Sequence, residues 1–88
     1  MEPRLLQKWL QTAGPEYEHI LLEAIHQEEA NKDNPHYLGW EWHEVKAYPA
    51  RLMKLVVAGI IRINYKSNTA TCYLLTDRAG TAAALGGG

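Results

Sequence analysis

A single cysteine, Cys72, rules out any internal disulfide and is compatible with a reducing compartment. The chain has no C-x-x-C pair and no H-E-x-x-H, and the His43-Glu44 pair lacks a second histidine at ligand spacing. His19, His26, His36 and His43 with Cys72 therefore form no recognised zinc signature, and no metal or cofactor is expected. A G-x-x-x-x-G-K-[ST] phosphate loop and a G-x-S-x-G elbow are also missing. Any catalysis would belong to another polypeptide segment, and the chain reads as a non-enzyme. No apolar run approaches the ~18 residues of a membrane helix, and the N-terminus has no signal-peptide core. A soluble, intracellular protein of the cytoplasm, nucleoid or nucleus is expected. With no internal repeat and no linker, one domain is expected over residues 1–88, whether a complete protein or a piece of a longer one.

What is present suits one modest core. A chain of 88 residues, 47% hydrophobic, buries only about two-thirds of its unfolded surface, which leaves no room for a deep multi-layer active site. Net charge is −1, but its distribution is uneven. Residues 14–44 carry a balance of −7 and residues 45–88 a balance of +5. Such a polarity places an acidic back opposite a basic surface, and phosphate contact by a few Lys and Arg side chains does not need a positive whole-chain charge.

Hydrophobic spacing predicts a helix over residues 3–13, with Leu5, Leu6, Trp9 and Leu10 on one stripe and a stop at Gly14-Pro15. A second amphipathic helix is expected from Pro15 to about Asn31, with Tyr17, Ile20, Leu21, Ala24 and Ile25 inward and glutamates on the solvated side. Asn31 to Gly39 reads as a loop. Glu41 to Lys46 reads as a short helical turn with Trp42 and Val45 inward. Pro49 at a first helical position and Gly59 as a left-handed stop bound a helix over 49–58, with Leu52, Leu55 and Val56 on its core face and Arg51 and Lys54 on another. Ile60–Tyr65 and Ala70–Leu75 are β-branched and aromatic, and the polar Lys66–Thr69 tip joins them as a hairpin. Arg62, between inward Ile61 and Ile63, points outward by alternation. Thr76 or Asp77 caps a last helix through Leu85, and Gly86 to Gly88 reads as a flexible tail.

The run from Tyr48 to Gly80 resembles the winged helix-turn-helix DNA-binding domain family. A leucine-rich helix is followed by Gly59-Ile60-Ile61 and then by Tyr73, Leu75-Thr76 and Gly80, in the family's order of Gly, two aliphatics and Tyr-x-Leu-Thr-x-x-x-Gly. The resemblance implies an α+β, mainly helical fold: a three-helix core over 15–85, an extra N-terminal helix over 1–14, a two-stranded β wing and a short C-terminal helix. Glu41–Lys46 is shorter than the family's first helix of the pair, a departure that bears on the docking angle of the next. The implied activity is double-stranded DNA binding without catalysis. Helix 49–58 would lie in the major groove and hairpin 65–73 beside it, in a transcriptional regulator or an accessory domain of a replication or helicase protein.

Eight residues are the candidates for DNA contact. Arg51 and Lys54 lie one turn apart on the exposed side of the recognition helix, where Arg can reach guanine O6 and N7. Tyr48 at its N-terminus either donates to a phosphate with the free amides there or packs on Trp42. Lys46 flanks the turn as a phosphate candidate. Arg62, Lys66, Ser67 and Asn68 belong to the wing. Trp9, Trp40 and Trp42 are expected in or at the edge of the core, Trp40 being the least determined. A stacking platform for single-stranded bases needs aromatics interleaved with cations, whereas the segment around Trp40 is acidic, so duplex is the expected partner. The alternative from another class is a protein-interaction or dimerisation module, with a homodimer or larger protein partner docked on the N-terminal helix.

Overall fold

The computed structural model describes residues 2–86. Four helices and one antiparallel hairpin follow in the order α1 (Pro3–Ala13), α2 (Pro15–Ala30), α3 (Pro49–Val57), β1 (Ile61–Lys66), β2 (Thr71–Leu75) and α4 (Arg78–Gly86). The class is α+β and mainly helical, at 53%. Gly86 lies in the last turn of α4 rather than in a tail, while Gly87 and Gly88 are outside the described residues.

Local chemistry sets most of the boundaries. Gly14, at φ 118°, ends α1 by donating its N–H to Leu10 O at 3.0 Å, and Pro15 opens α2 immediately after it. Pro49 likewise opens α3. That helix stops at Val57, one residue earlier than expected, with Ala58 as its cap. Gly59 N–H bonds Val56 O and Ile60 N–H bonds Leu55 O, each at 3.0 Å, which is the paired closure that a left-handed glycine (φ 79°) allows. Buried Leu55 and Ile60 complete that closure with an apolar contact at the base of the hairpin. Asp77, not Thr76, caps α4: its Oδ1 accepts the Gly80 N–H at 3.0 Å.

Leu6 and Leu10 of α1, Ile20 and Leu21 of α2, Leu52 and Leu55 of α3, and Ile61, Tyr73 and Leu75 of the hairpin meet in one core. α1 packs on α2 and α4, which leaves Leu5 exposed and Trp9 half-buried, edge-on to Tyr17. Trp40, the least determined tryptophan, is fully buried and stacked on Tyr73 with centroids 5.4 Å apart. Its N–H and C=O pair with those of Tyr73 at 3.0 and 2.9 Å, so the segment after the loop adds an isolated bridge to the free edge of β2. Gly39 must precede it, because it sits at φ 130° and a Cβ there would run into the Tyr73 carbonyl oxygen.

Three expectations are corrected. Glu41–Lys46 is a series of turns, not a helix, so Val45 points inward while Trp42 is 43% exposed. Those turns close by Glu44 N–H to Glu41 O, Ala47 N–H to Trp42 O, and the Glu44 carboxyl on the Glu41 amide, with Lys46 at φ 57°. Without a regular i, i+3 repeat, Trp42 and Val45 do not share a face. Ile63 is half-exposed rather than inward, because the hairpin runs out past the core: it keeps register with Tyr73, yet Ile61 is the one buried residue of β1, and beyond Ile63 a bulge leaves Asn64 unpaired. Glu28, assigned with the other glutamates to the solvated side of α2, is 7% exposed. Its Oε2 accepts both the Trp40 indole N–H at 2.9 Å and the Leu75 amide at 2.8 Å.

Glu28→Ala leaves two buried donors without an acceptor, and each such loss costs about 1 to 3 kcal/mol. Urea unfolding should show Glu28→Ala less stable by about 2 to 6 kcal/mol, and Glu28→Gln, which keeps an acceptor oxygen, less affected. Leu55→Ala should cost about 2 to 5 kcal/mol through a core cavity.

Candidate nucleic-acid interface

Three of the six cations of residues 45–88, Lys46, Arg51 and Lys66, lie around the N-terminal end of α3, with Glu16 and Glu41 among them. Three shallow, open depressions adjoin there. The first, of about 400 Å³, is walled by Glu16, His19, Lys46, Tyr48 and Arg51. A second, of about 250 Å³, shares Lys46 and Tyr48 with it and adds Trp42 and His43. The third, of about 320 Å³, continues from Trp42 past Pro49 to the hairpin tip at Lys66, Ser67 and Asn68. Shared walls make them one band running from α2 across the start of α3 to the wing. Six of the eight candidates, namely Lys46, Tyr48, Arg51, Lys66, Ser67 and Asn68, border it. Lys54 and Arg62 are exposed but do not line it.

Their environments differ. Arg51 Nη1 is 2.9 Å from Glu16 Oε1, so the first turn of α2 restrains the guanidinium. Arg51 and Lys54 both approach the Tyr17 ring, at 6.0 and 5.9 Å from its centroid, within cation–π range. Tyr48 caps α3 through its backbone only, is 73% exposed, and lies nearly parallel to Trp42 at 19°, with centroids 6.3 Å apart. The helix end offers fewer free amides than its position suggests, since Pro49 has no N–H and the Arg51 N–H bonds Tyr48 O at 3.0 Å. Ser67 Oγ is spent inside the tip, accepting the Ala70 and Thr69 amides at 3.1 and 3.3 Å. Arg62 donates to Asn64 Oδ1 at 2.8 Å, and Asn64 in turn donates to Leu38 O at 2.8 Å, so the bulge anchors this guanidinium along β1. Lys66 and Asn68 are exposed at the end of the hairpin.

Sequence reasoning missed Glu16 as the counter-charge of Arg51, and missed Trp42 as a surface residue. It also missed how apolar the outward side of α3 is: Met53 and Val57 are 49% and 81% exposed. A helical wheel of 49–57 places Ala50, Met53, Lys54 and Val57 opposite buried Leu52 and Leu55, and that pattern was available from the spacing.

Burial first, and then Glu41 and Glu44, push the Cys72 thiol up, away from the thiolate a nucleophile requires. Burial first, then Glu44 and Glu28, raises the Tyr37 hydroxyl to about 12. Among the described residues no group of three or more His, Cys, Asp or Glu side chains is arranged to hold a metal ion, and no helix is long and apolar enough to cross a membrane. The chain matches no model of a known protein family and no curated protein sequence.

The Glu16 carboxyl titrates below its ordinary value of 4.5, chiefly because of its own backbone amide and next because of the Arg51 guanidinium. A depressed folded value gives stability that is complete above the unfolded value and fades as pH falls through the folded one. In an NMR titration of its side-chain carboxyl, Arg51→Ala should move Glu16 only part-way back toward 4.5, since the amide contribution remains. A shift of zero, or a full return to 4.5, contradicts this account.

Proposed function

We propose that the chain is a winged helix domain that binds double-stranded DNA without catalysis, with α3 as its recognition helix and the β1–β2 hairpin as its wing. The observation that carries this reading is the continuous band joining the start of α3 to the hairpin tip, bordered by Lys46, Arg51 and Lys66. The hairpin follows α3 after a three-residue closure and packs against it, so one rigid unit presents a helix and a ribbon side by side. The rest of the charge pattern supports the same polarity, since the acidic residues concentrate in 14–44. In this reading Lys46, in the middle of the band, and Lys66, at its wing end, are phosphate contacts. Arg51 reaches the duplex by exchanging its Glu16 partner for a phosphate or a guanine edge. Lys54 adds a cation on the outward side of α3, and Arg62 one on the wing. The context, a transcriptional regulator or an accessory domain of a replication or helicase protein, is part of the proposal.

A protein-docking role is the second reading, and one observation favours it. Met53 and Val57 put an apolar strip on the outward side of α3, where a DNA-reading helix ordinarily carries polar groups. The first helix supports that role less than its sequence implied, because Leu6 and Leu10 are buried in their own domain.

Fluorescence anisotropy of a labelled mixed-sequence duplex and of its single strand, at low and then moderate salt, separates the two readings. Duplex binding that weakens with salt is expected, and its absence even at low salt would sink the DNA reading. Lys46→Ala with Lys66→Ala should weaken binding and flatten the log–log salt dependence by about 2, the release of two phosphate contacts. Arg51→Ala with Lys54→Ala should weaken duplex binding with the fold intact. Glu16→Gln, which frees Arg51, should strengthen it.

A further inference from the structure

Trp42 and Tyr48 stand out among the exposed side chains because they form a pair. Their rings are near parallel, at 19°, and 43% and 73% of each residue's surface remains open to solvent. A core explains neither ring. Tyr48 caps α3 with its backbone alone, and its hydroxyphenyl group is free of the helix. The ring of His43 stands edge-on to Trp42, at 86° and 5.7 Å. Together these side chains and Lys46 wall the middle depression of the band, about 250 Å³ in volume.

Lys46 sits where a cation is most useful beside such rings, and its backbone carries a cost. It is the one non-glycine residue with positive φ among those described, at 57°. Glycine adopts that conformation freely and a side chain rarely does. Two carboxylates lie close by: Glu41, whose Oε2 is 3.5 Å from His43 Nε2 and which also lines the third depression, and Glu44, whose Oε1 accepts the Glu41 amide. On the far side of Trp42 the band runs to Lys66. Exposed aromatic faces between two lysines form the combination that holds an unpaired base by stacking while cations hold its phosphates. An apolar partner side chain would use the rings but not the lysines.

We propose that the Trp42–Tyr48 pair, with Lys46 beside it, is a site for one unpaired nucleotide next to the duplex, so that the domain prefers a duplex with a single-stranded overhang to a blunt one. This rests on the duplex-binding reading and deepens it. The rings take the base, Lys46 takes the phosphate next to it, and the wing and α3 keep the adjoining duplex.

The test measures anisotropy of two duplexes of identical sequence, one blunt and one with a short overhang, each labelled at the end away from the overhang. The overhang duplex should bind about tenfold tighter, the weight of one stacked base. Trp42→Ala should bring the overhang-to-blunt ratio to about one, and Trp42→Phe, which keeps a ring, should retain most of it. Equal binding of the two duplexes by the unmodified chain overturns this site and leaves duplex binding standing. Binding of neither overturns both. A ratio that survives in a folded Trp42→Ala chain, with an unchanged urea midpoint, also overturns the assignment.

Discussion

A carboxyl group buried between a helix and a strand needs donors, and the arrangement of this domain follows from where Glu28 finds them. One oxygen receives the Trp40 indole from the segment after the loop and the Leu75 amide from β2. Three stretches of chain far apart in sequence are thereby pinned to one atom, in surroundings where an unmet donor is costly. That pin fixes Trp40 on Tyr73 and so fixes where the turns leading into α3 begin. It also sets β2, and with it the hairpin, against α2. The relative placement of α3 and the hairpin is thus controlled from a buried carboxyl on α2.

Charge is arranged with similar economy. Arg51 is held by Glu16 and lies over Tyr17, Arg62 is held by Asn64, and Lys46 and Lys66 stand in the middle and at the wing end of the band. Two cations are pre-positioned by neighbours, while the lysines act as mobile point charges. An exposed ion pair such as Arg51–Glu16 is weak in water, so exchanging it for a phosphate costs little. Glu16 lies in the acidic first turn of α2, so the acidic and basic halves meet through this contact.

The helices and the hairpin were legible because each is bounded by residues with a mechanical reason to be there: Pro3, Gly14-Pro15, Pro49, Gly59 and Asp77. The α2 stripe was legible through Ala24, and Glu28, four residues on, continues it. Residue type was given more weight there than spacing, and a buried glutamate is rare unless partnered. The 41–46 segment was misjudged because i, i+3 spacing signals a face only once a helix exists, and six residues closed by a left-handed lysine do not make one. Ile63 was misjudged because alternation tells which side a residue takes but not how far along the strand the core extends. Six of the eight proposed contact residues border one surface band, yet the partner of Arg51 lies 35 positions away and no local pattern announces it.

The bulge at Asn64 has another consequence. Ile60–Tyr65 is β-branched and aromatic, the kind of segment that stacks into cross-β fibrils when its backbone edge is free. The outer edge of β2 is partly closed by Trp40, whereas among the described residues no second strand lies beside β1. On that edge the bulge interrupts the ladder, Asn64 turns its amide to Leu38, and Arg62 and Lys66 add like charge. Two ribbons meeting edge to edge would have to break the register and crowd cations together. The irregularity at Asn64 therefore also guards the folded hairpin against edge-to-edge pairing.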